Sequence, residues 1–183
     1  DIFVFQAEDG IRGDQESRGL GDVYKRQTQT VVALMEDKPG VLNRVSGLFR
    51  RRNYNIESLS VGHSETPGIS RMTIVAHGDD RVIEQITKQL NKLVDVIKVQ
   101  EYAEGDSLER ELVLAKVHTG AQTRSEVMQI VSIFRGKIVD VGHEFVTVEL
   151  TGTEDKVEAM LGLLKPFGIR EVVRTGTIAI ARK

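Results

Sequence analysis

The sequence predicts an α+β protein of two tandem ferredoxin-like domains, each with the element order βαββαβ. Two observations carry that expectation. The apolar residues switch between the two-residue period of strands and the three-to-four spacing of helices, in the same order twice. Between the copies, residues 104–110 are polar and read as a linker, which places the domains at 28–103 and 111–183.

The first copy opens with a buried strand, Thr30–Met35 (TVVALM). Val41, Leu42, Val45, Leu48 and Phe49 then fall on one helical face. Ile56–His63 reads as a half-buried strand, SETPG as a turn, and Arg71–His77 as the next strand. Asp79 or Asp80 can cap a second helix whose inner face carries Val82, Ile83, Ile86, Leu90 and Leu93. Val94–Tyr102 closes the unit as a strand.

In the second copy, Leu112–Val117 is a strand, and Thr123 with Glu126 suggests a capping box ahead of Val127, Ile130, Val131 and Phe134. Lys137–Leu150 reads as two strands joined by a tight turn near Gly142 and His143. Thr153 opens a helix carrying Val157, Met160, Leu161 and Leu164, stopped by Pro166 and Gly168. Glu171–Ala181 supplies the last strand or strands. Two helices cover only one face of each four-stranded sheet, so the other face is expected to drive oligomerisation.

Composition narrows the function. The 183 residues are 40% apolar and 28% charged, as in globular proteins. Absence of cysteine excludes a disulfide framework, a thiol nucleophile and a Cys-ligated metal. No apolar run approaches the roughly 18 residues of a membrane span, and a cytoplasmic setting is expected. A net charge of −2 argues against a dedicated nucleic-acid binder. The one dense basic cluster, Arg50–Arg52, suits a solvated helix end, where the dipole favours cations.

Asp1–Gln27 matches neither unit. It has no sustained period, and "QAEDGIR" and "SRGLGDVYKRQ" resemble translated sequencing-adapter read-through. The segment is expected to be disordered and foreign to the fold, with a natural disordered tail as the alternative. Removing it leaves 21 basic and 21 acidic residues, from totals of 25 and 27 less four and six.

The stretch MEDKPGVLNRVSGLFRRRNYNIESLS carries the candidate site. Asp37, Lys38, Pro39 and Gly40 lie just before the first helix. Pro suits a first helical turn, and Gly40 lets a ligand approach the backbone. The N–H groups of Gly40, Val41 and Leu42 lie at a helix N-terminus, where an anion is favoured. A carboxylate fits there, Asp37 can receive an ammonium, and Val41, Leu42 and Ile56 can line an aliphatic side chain. Together they describe a free amino acid, although a Pro-Gly start is also ordinary capping. Asn53 suits the left-handed residue that ends the helix, and the Asn55 amide can serve both carboxylate and ammonium. A helix of about twelve residues separates Asn55 from Gly40 by roughly 18 Å. A symmetric dimer would bring Asn55 of one copy to Gly40 of the other.

"EDKPGVLNRVSGLFRRRNYNIESLSV", "SRMTIVAHGDD" and "QLNKLVDVIKV" resemble the ACT domain of the acetolactate synthase small subunit, the acetohydroxyacid synthase regulatory subunit. "LERELVLAKV", "IFRGKIVDVG" and "VELTGTEDKVEAMLGLLKPFGIREVVRTG" extend the resemblance through its C-terminal domain, from Gln29 to about Lys183. The resemblance implies an N-terminal ACT domain and a C-terminal ACT-like domain. It further implies a non-catalytic subunit that binds and activates the large catalytic subunit. Valine, leucine or isoleucine would inhibit from a homodimer interface, as feedback in branched-chain amino acid biosynthesis. Thiamine diphosphate, Mg²⁺ and FAD would belong to the catalytic partner, with no cofactor in this chain. The implied effector residues are Asp37–Leu42 of one protomer and Asn55 and Ile56 of its neighbour. Asp37 stands where the family often has Asn, and Asn53 where Gly is usual.

Three other readings compete. An enzyme finds little support: His63, His77, His118 and His143 are scattered, although His63 and His77 could meet on neighbouring strands. An RNA-binding domain of this fold would stack bases on strand aromatics, and RMTIVAH has none. An ACT-type amino-acid sensor for a different enzyme or a transcription factor is the main alternative. No nucleic-acid or membrane partner is expected.

Overall fold

The computed structural model describes residues 28–103 and 105–182. The Asp1–Gln27 segment lies outside the described residues. The first half runs β1 (Thr28–Glu36), α1 (Val41–Arg52), β2 (Ile56–His63), β3 (Ile69–His77), α2 (Asp80–Leu90) and β4 (Val96–Tyr102). The second runs β5 (Ser107–His118), α3 (Arg124–Ile133), β6 (Lys137–Val141), β7 (Phe145–Gly152), α4 (Glu154–Leu164), β8 (Ile169–Arg174) and β9 (Ile178–Ala181). A 3-10 turn, Lys165–Phe167, follows α4. The sheets are ordered β2-β3-β1-β4 and β6-β7-β5-β8, with β9 paired to the start of β5. Both are antiparallel and both halves follow βαββαβ, the tandem ferredoxin-like plan.

Alternation places Val31, Ala33 and Met35 of β1 and Met72, Ile74 and Ala76 of β3 beneath the helices. There they meet Val45, Leu48 and Phe49 of α1 and Ile83, Ile86 and Leu90 of α2. Full burial of a side chain such as Ile86 contributes about 1.5–3 kcal/mol. A second core joins Val113, Ala115 and Val117 of β5 to Val127, Val131, Val157, Met160 and Leu164.

Local chemistry fixes the helix ends. Asp79 rather than Asp80 caps α2, accepting from the Val82 N–H at 2.9 Å. Thr123 does not form the expected capping box; its Oγ1 accepts from the Gly120 N–H at 3.0 Å, bracing the loop before the helix. Asn53 is left-handed at φ 56°, and the Tyr54 N–H returns to the Phe49 carbonyl at 3.1 Å.

Residues 107–110 are strand, not linker. They pair with β9 from Ser107↔Ala181 to Arg110↔Ile178, with Leu108 and Arg110 on the exposed side of a two-residue alternation and Ser107 and Glu109 on the inner side. The resulting ribbon lies over the helix-free face of the first sheet. Thr30, Val32, Thr73 and Val75 on that face are buried, so the chain itself covers part of what was expected to require oligomerisation. The Thr177 N–H donates to Ser58 Oγ at 2.7 Å. Gly176, at φ +83°, sits so close that a Cβ would lie 2.9 Å from the Leu59 carbonyl oxygen. The outer face of the second sheet leaves the paired Leu114 and Val173 exposed.

Acidic groups gather at the same junction. Arg174 pairs with Glu158 and lies 3.8 Å from the buried Glu111. Burial first, then the charges of Glu57, Glu111 and Glu158, raise the Glu154 carboxyl above the ordinary carboxylate range. The folded chain therefore holds that proton more tightly than the unfolded chain. The ionised carboxylate opposes folding above the folded-state pKa, and the penalty disappears as pH falls through it.

Two outcomes follow. Gly176→Ala destabilises the chain by about 1–3 kcal/mol, from left-handed strain together with the clash against Leu59, read by chemical denaturation. The melting temperature of Glu154→Gln relative to wild type becomes more positive as pH rises from the acid range to neutrality; a flat difference would remove the assigned penalty.

Candidate functional site

The loop between β1 and α1 is held at three points. The Glu36 N–H donates to the Asp95 carbonyl and the Asp37 N–H to the Gly68 carbonyl, each at 2.9 Å. Arg44 of α1 pairs with the Asp95 carboxylate at 3.1 Å. These contacts tie the loop to the β2–β3 turn and to the segment entering β4. Gly40 precedes the helix at φ +89°, a backbone state costly for residues with a Cβ. A Cβ there would meet nothing within 4 Å, so the space beside the backbone is open.

The entrance to α1 is electropositive. No side chain caps it, and its first turn holds no acidic residue. The Val41 N–H makes only a long 3.4 Å contact with the Lys38 carbonyl. With four N-terminal N–H groups lacking intrahelical partners, a carboxylate can be held there by backbone donors. At the far end Arg50, Arg51 and Arg52 face the negative pole.

Lys38 is not available for that carboxylate. Its ammonium contacts Glu36 at 2.8 Å, and the hydrogen bond and charge of Glu36 hold it above its ordinary value. Asp37 and Pro39 are exposed. Asp37 Oδ2 lies 3.2 Å from His63 Nδ1, at the last residue of β2. His63 is thus a neighbour of the site that sequence reading placed among scattered histidines. Its signal was position alone, because it ends the strand that Asn55 precedes. His77 lies at the opposite end of the β2–β3 pair and meets Glu57 at 2.8 Å, so the two histidines do not converge. Among the described residues no group of three or more His, Asp or Glu side chains is arranged to hold a metal.

Of the proposed aliphatic lining, Val41 is buried in the first core and offers only its backbone. Ile56 is partly buried against that same core. Leu42, in the first turn of α1, is the exposed apolar side chain beside the loop and remains open to a ligand. Asn55 is exposed immediately before β2, aimed by the Asn53 turn and by Tyr54, whose ring packs edge-on against Phe49. The 12 residues of α1 lie between Gly40 and Asn55, so one chain presents the loop and the amide at opposite helix ends.

The topology supplies a way to reunite them. β2 is an edge strand, paired only with β3 among the described residues. Its end, His63, touches the loop through Asp37, and its start follows Asn55. Antiparallel pairing of β2 with a second β2 sets the start of one beside the end of the other. Asn55 of each copy then stands next to the loop of its neighbour.

Residues 32–98 match a family described as the AHAS small subunit-like ACT domain. Residues 110–183 match one described as the small subunit of acetolactate synthase. The acetolactate synthase small subunit of Mycolicibacterium smegmatis is 52% identical over 155 residues, covering 85% of this chain and 91% of that protein. The Bacillus subtilis small subunit is 49% identical over 156 residues, covering 85% and 88%. A crystal structure of the Thermotoga maritima small subunit superposes with a TM-score of 0.80 at 45% identity, covering 86% of this chain and 98% of that one. At these identities and coverages, the chain belongs to the acetolactate synthase small-subunit family, with an ACT domain in its N-terminal half.

Proposed function

We propose that the chain is the regulatory small subunit of acetolactate synthase, binding and activating the catalytic large subunit and making it sensitive to a branched-chain amino acid. The chain carries no catalytic group for the reaction; thiamine diphosphate, Mg²⁺ and FAD reside in the catalytic partner. The observation that carries the effector reading is the placement of the open Gly40 loop and Asn55 at opposite ends of one free strand edge.

Two chains pair through β2 and build two equivalent sites. In each, the α1 entrance of one copy holds the effector carboxylate through backbone N–H groups. Asp37 takes the ammonium, and His63 beside it orients that carboxylate. Asn55 of the partner copy bridges both ends of the zwitterion. Leu42, with the exposed edge of Ile56 from the partner copy, contacts the aliphatic side chain, which selects valine, leucine or isoleucine over polar amino acids.

Lys38, engaged by Glu36, keeps the loop from presenting a second competing cation. Activation requires only that the chain hold the catalytic subunit in its active arrangement. Inhibition requires that the effector bind one arrangement of the complex more tightly than the other.

Asn55→Ala is expected to weaken valine binding about ten- to hundredfold while activation of the catalytic subunit is retained, because hydrogen bonds to charged groups contribute about 1.5–3 kcal/mol. Calorimetric titration and inhibition curves read the two effects; unchanged curves would overturn the assignment. Mixing Asn55→Ala chains with Asp37→Ala chains tests sharing directly. Each mixed dimer regains one intact site, so about a quarter of all sites recover in a random mixture. No recovery would show that one chain supplies the whole site. Co-purification with an acetolactate synthase catalytic chain separates this function from an amino-acid sensor of another enzyme.

A further inference from the structure

The β5/β9 ribbon presents a surface that the effector site does not use. In β9, Ala179 is buried while Ile178 and Ile180 on either side are 57% and 58% exposed. Leu108, paired with Ile180, and Val61 on β2 are exposed as well. These four aliphatic residues share one cleft of about 410 Å³, together with Ser60, Thr73, Arg71 and Arg110. A lone exposed aliphatic is ordinary, but four in one cleft beside an unpaired strand edge mark an interaction surface.

We infer that this ribbon of the C-terminal half forms part of the homodimer seam, each copy packing its Leu108, Ile178 and Ile180 against those of its twin. The inference rests on the β2 pairing proposed above and extends it to the second domain. Position argues for a second copy as the occupant. The ribbon is fastened at Ser58 and Leu59, through Thr177 and Gly176, and those residues are at the middle of β2. Antiparallel pairing of two identical strands puts the two-fold axis near their midpoints, so the two ribbons arrive on the same side of the joined sheet.

Charge argues the same way. Glu65 is 73% exposed and meets Arg71 only at a long 3.6 Å. Arg110 donates to the carbonyl of Glu109, and no ion pair joins it to a carboxylate among the described residues. A cleft that carries an underused carboxylate and a guanidinium without one is self-complementary, which an isologous contact requires. The aliphatic residues supply the desolvated centre and the charged pair its rim.

The chain contains no cysteine, so one introduced thiol reports one position. Ile178→Cys and Ile180→Cys are made in the full chain, with Ile133→Cys, 77% exposed at the end of α3, as a control. Under mild oxidation the two ribbon variants are expected to form disulfide-linked dimers at least tenfold faster than the control. Equal rates would overturn the inference. In parallel, sedimentation measures the dimer dissociation constant of Ile178→Glu/Ile180→Glu, with circular dichroism confirming the fold. A rise of tenfold or more supports the seam, and an unchanged constant overturns it. That last result would leave the shared effector site standing, because Asp37 and Asn55 chains would still complement. Ribbon cross-linking without complementation would leave the seam standing and remove the effector reading.

Discussion

The hydrogen-bonding edge of β2 is the constraint on which the arrangement depends. A strand pairs on two sides, and among the described residues β2 uses one, against β3. Free N–H and C=O groups along such an edge favour a further strand, and natural proteins either block the edge or use it. Here both ends of the edge carry chemistry. Asn55 precedes it, and His63 ends it against the loop that opens α1. Between them the C-terminal half is fastened at Ser58 and Leu59. One strand therefore touches the candidate site residues at each end and the C-terminal half in its middle.

The framework was legible in the sequence wherever a single local force decides. Amphipathic spacing located the four α-helices of the described residues, and Asn53 was readable as left-handed because few other residues tolerate that state without glycine's freedom. Ser107–Arg110 was misread because its partner, β9, lies some seventy residues away and polar side chains on an exposed face mimic a linker. Thr123 was misread for a related reason. Capping boxes are recognised by spacing, yet the hydroxyl had a better-placed donor in Gly120.

The candidate site was legible in part. Asp37, Gly40 and Leu42 are open in the loop, and Asn55 is exposed at the start of the strand. Val41 was assigned to the lining by hydrophobicity, a property that equally sends it into the core, where it lies. The engagement of Lys38 by Glu36 and the approach of His63 to Asp37 depend on how the β2–β3 turn folds back, which no local pattern reports. Charge balance around an amino group is thus the least readable feature from sequence, because it is set by residues distant along the chain.

An effector shared between copies, as proposed, would regulate through relative position rather than through a new contact. Its free energy enters the regulated equilibrium only as a difference between two arrangements, typically about 1–3 kcal/mol. Under the proposed sharing a small shift of β2 would meet Gly176, which is held so close to Leu59 that the ribbon has little room to stay behind. Well-packed contacts do not deform continuously, so under the proposed sharing a movement at Asn55 would reach the second domain as a change of packing. The tight glycine contact in the middle of the edge strand would then make effector occupancy at its ends a matter for the whole subunit.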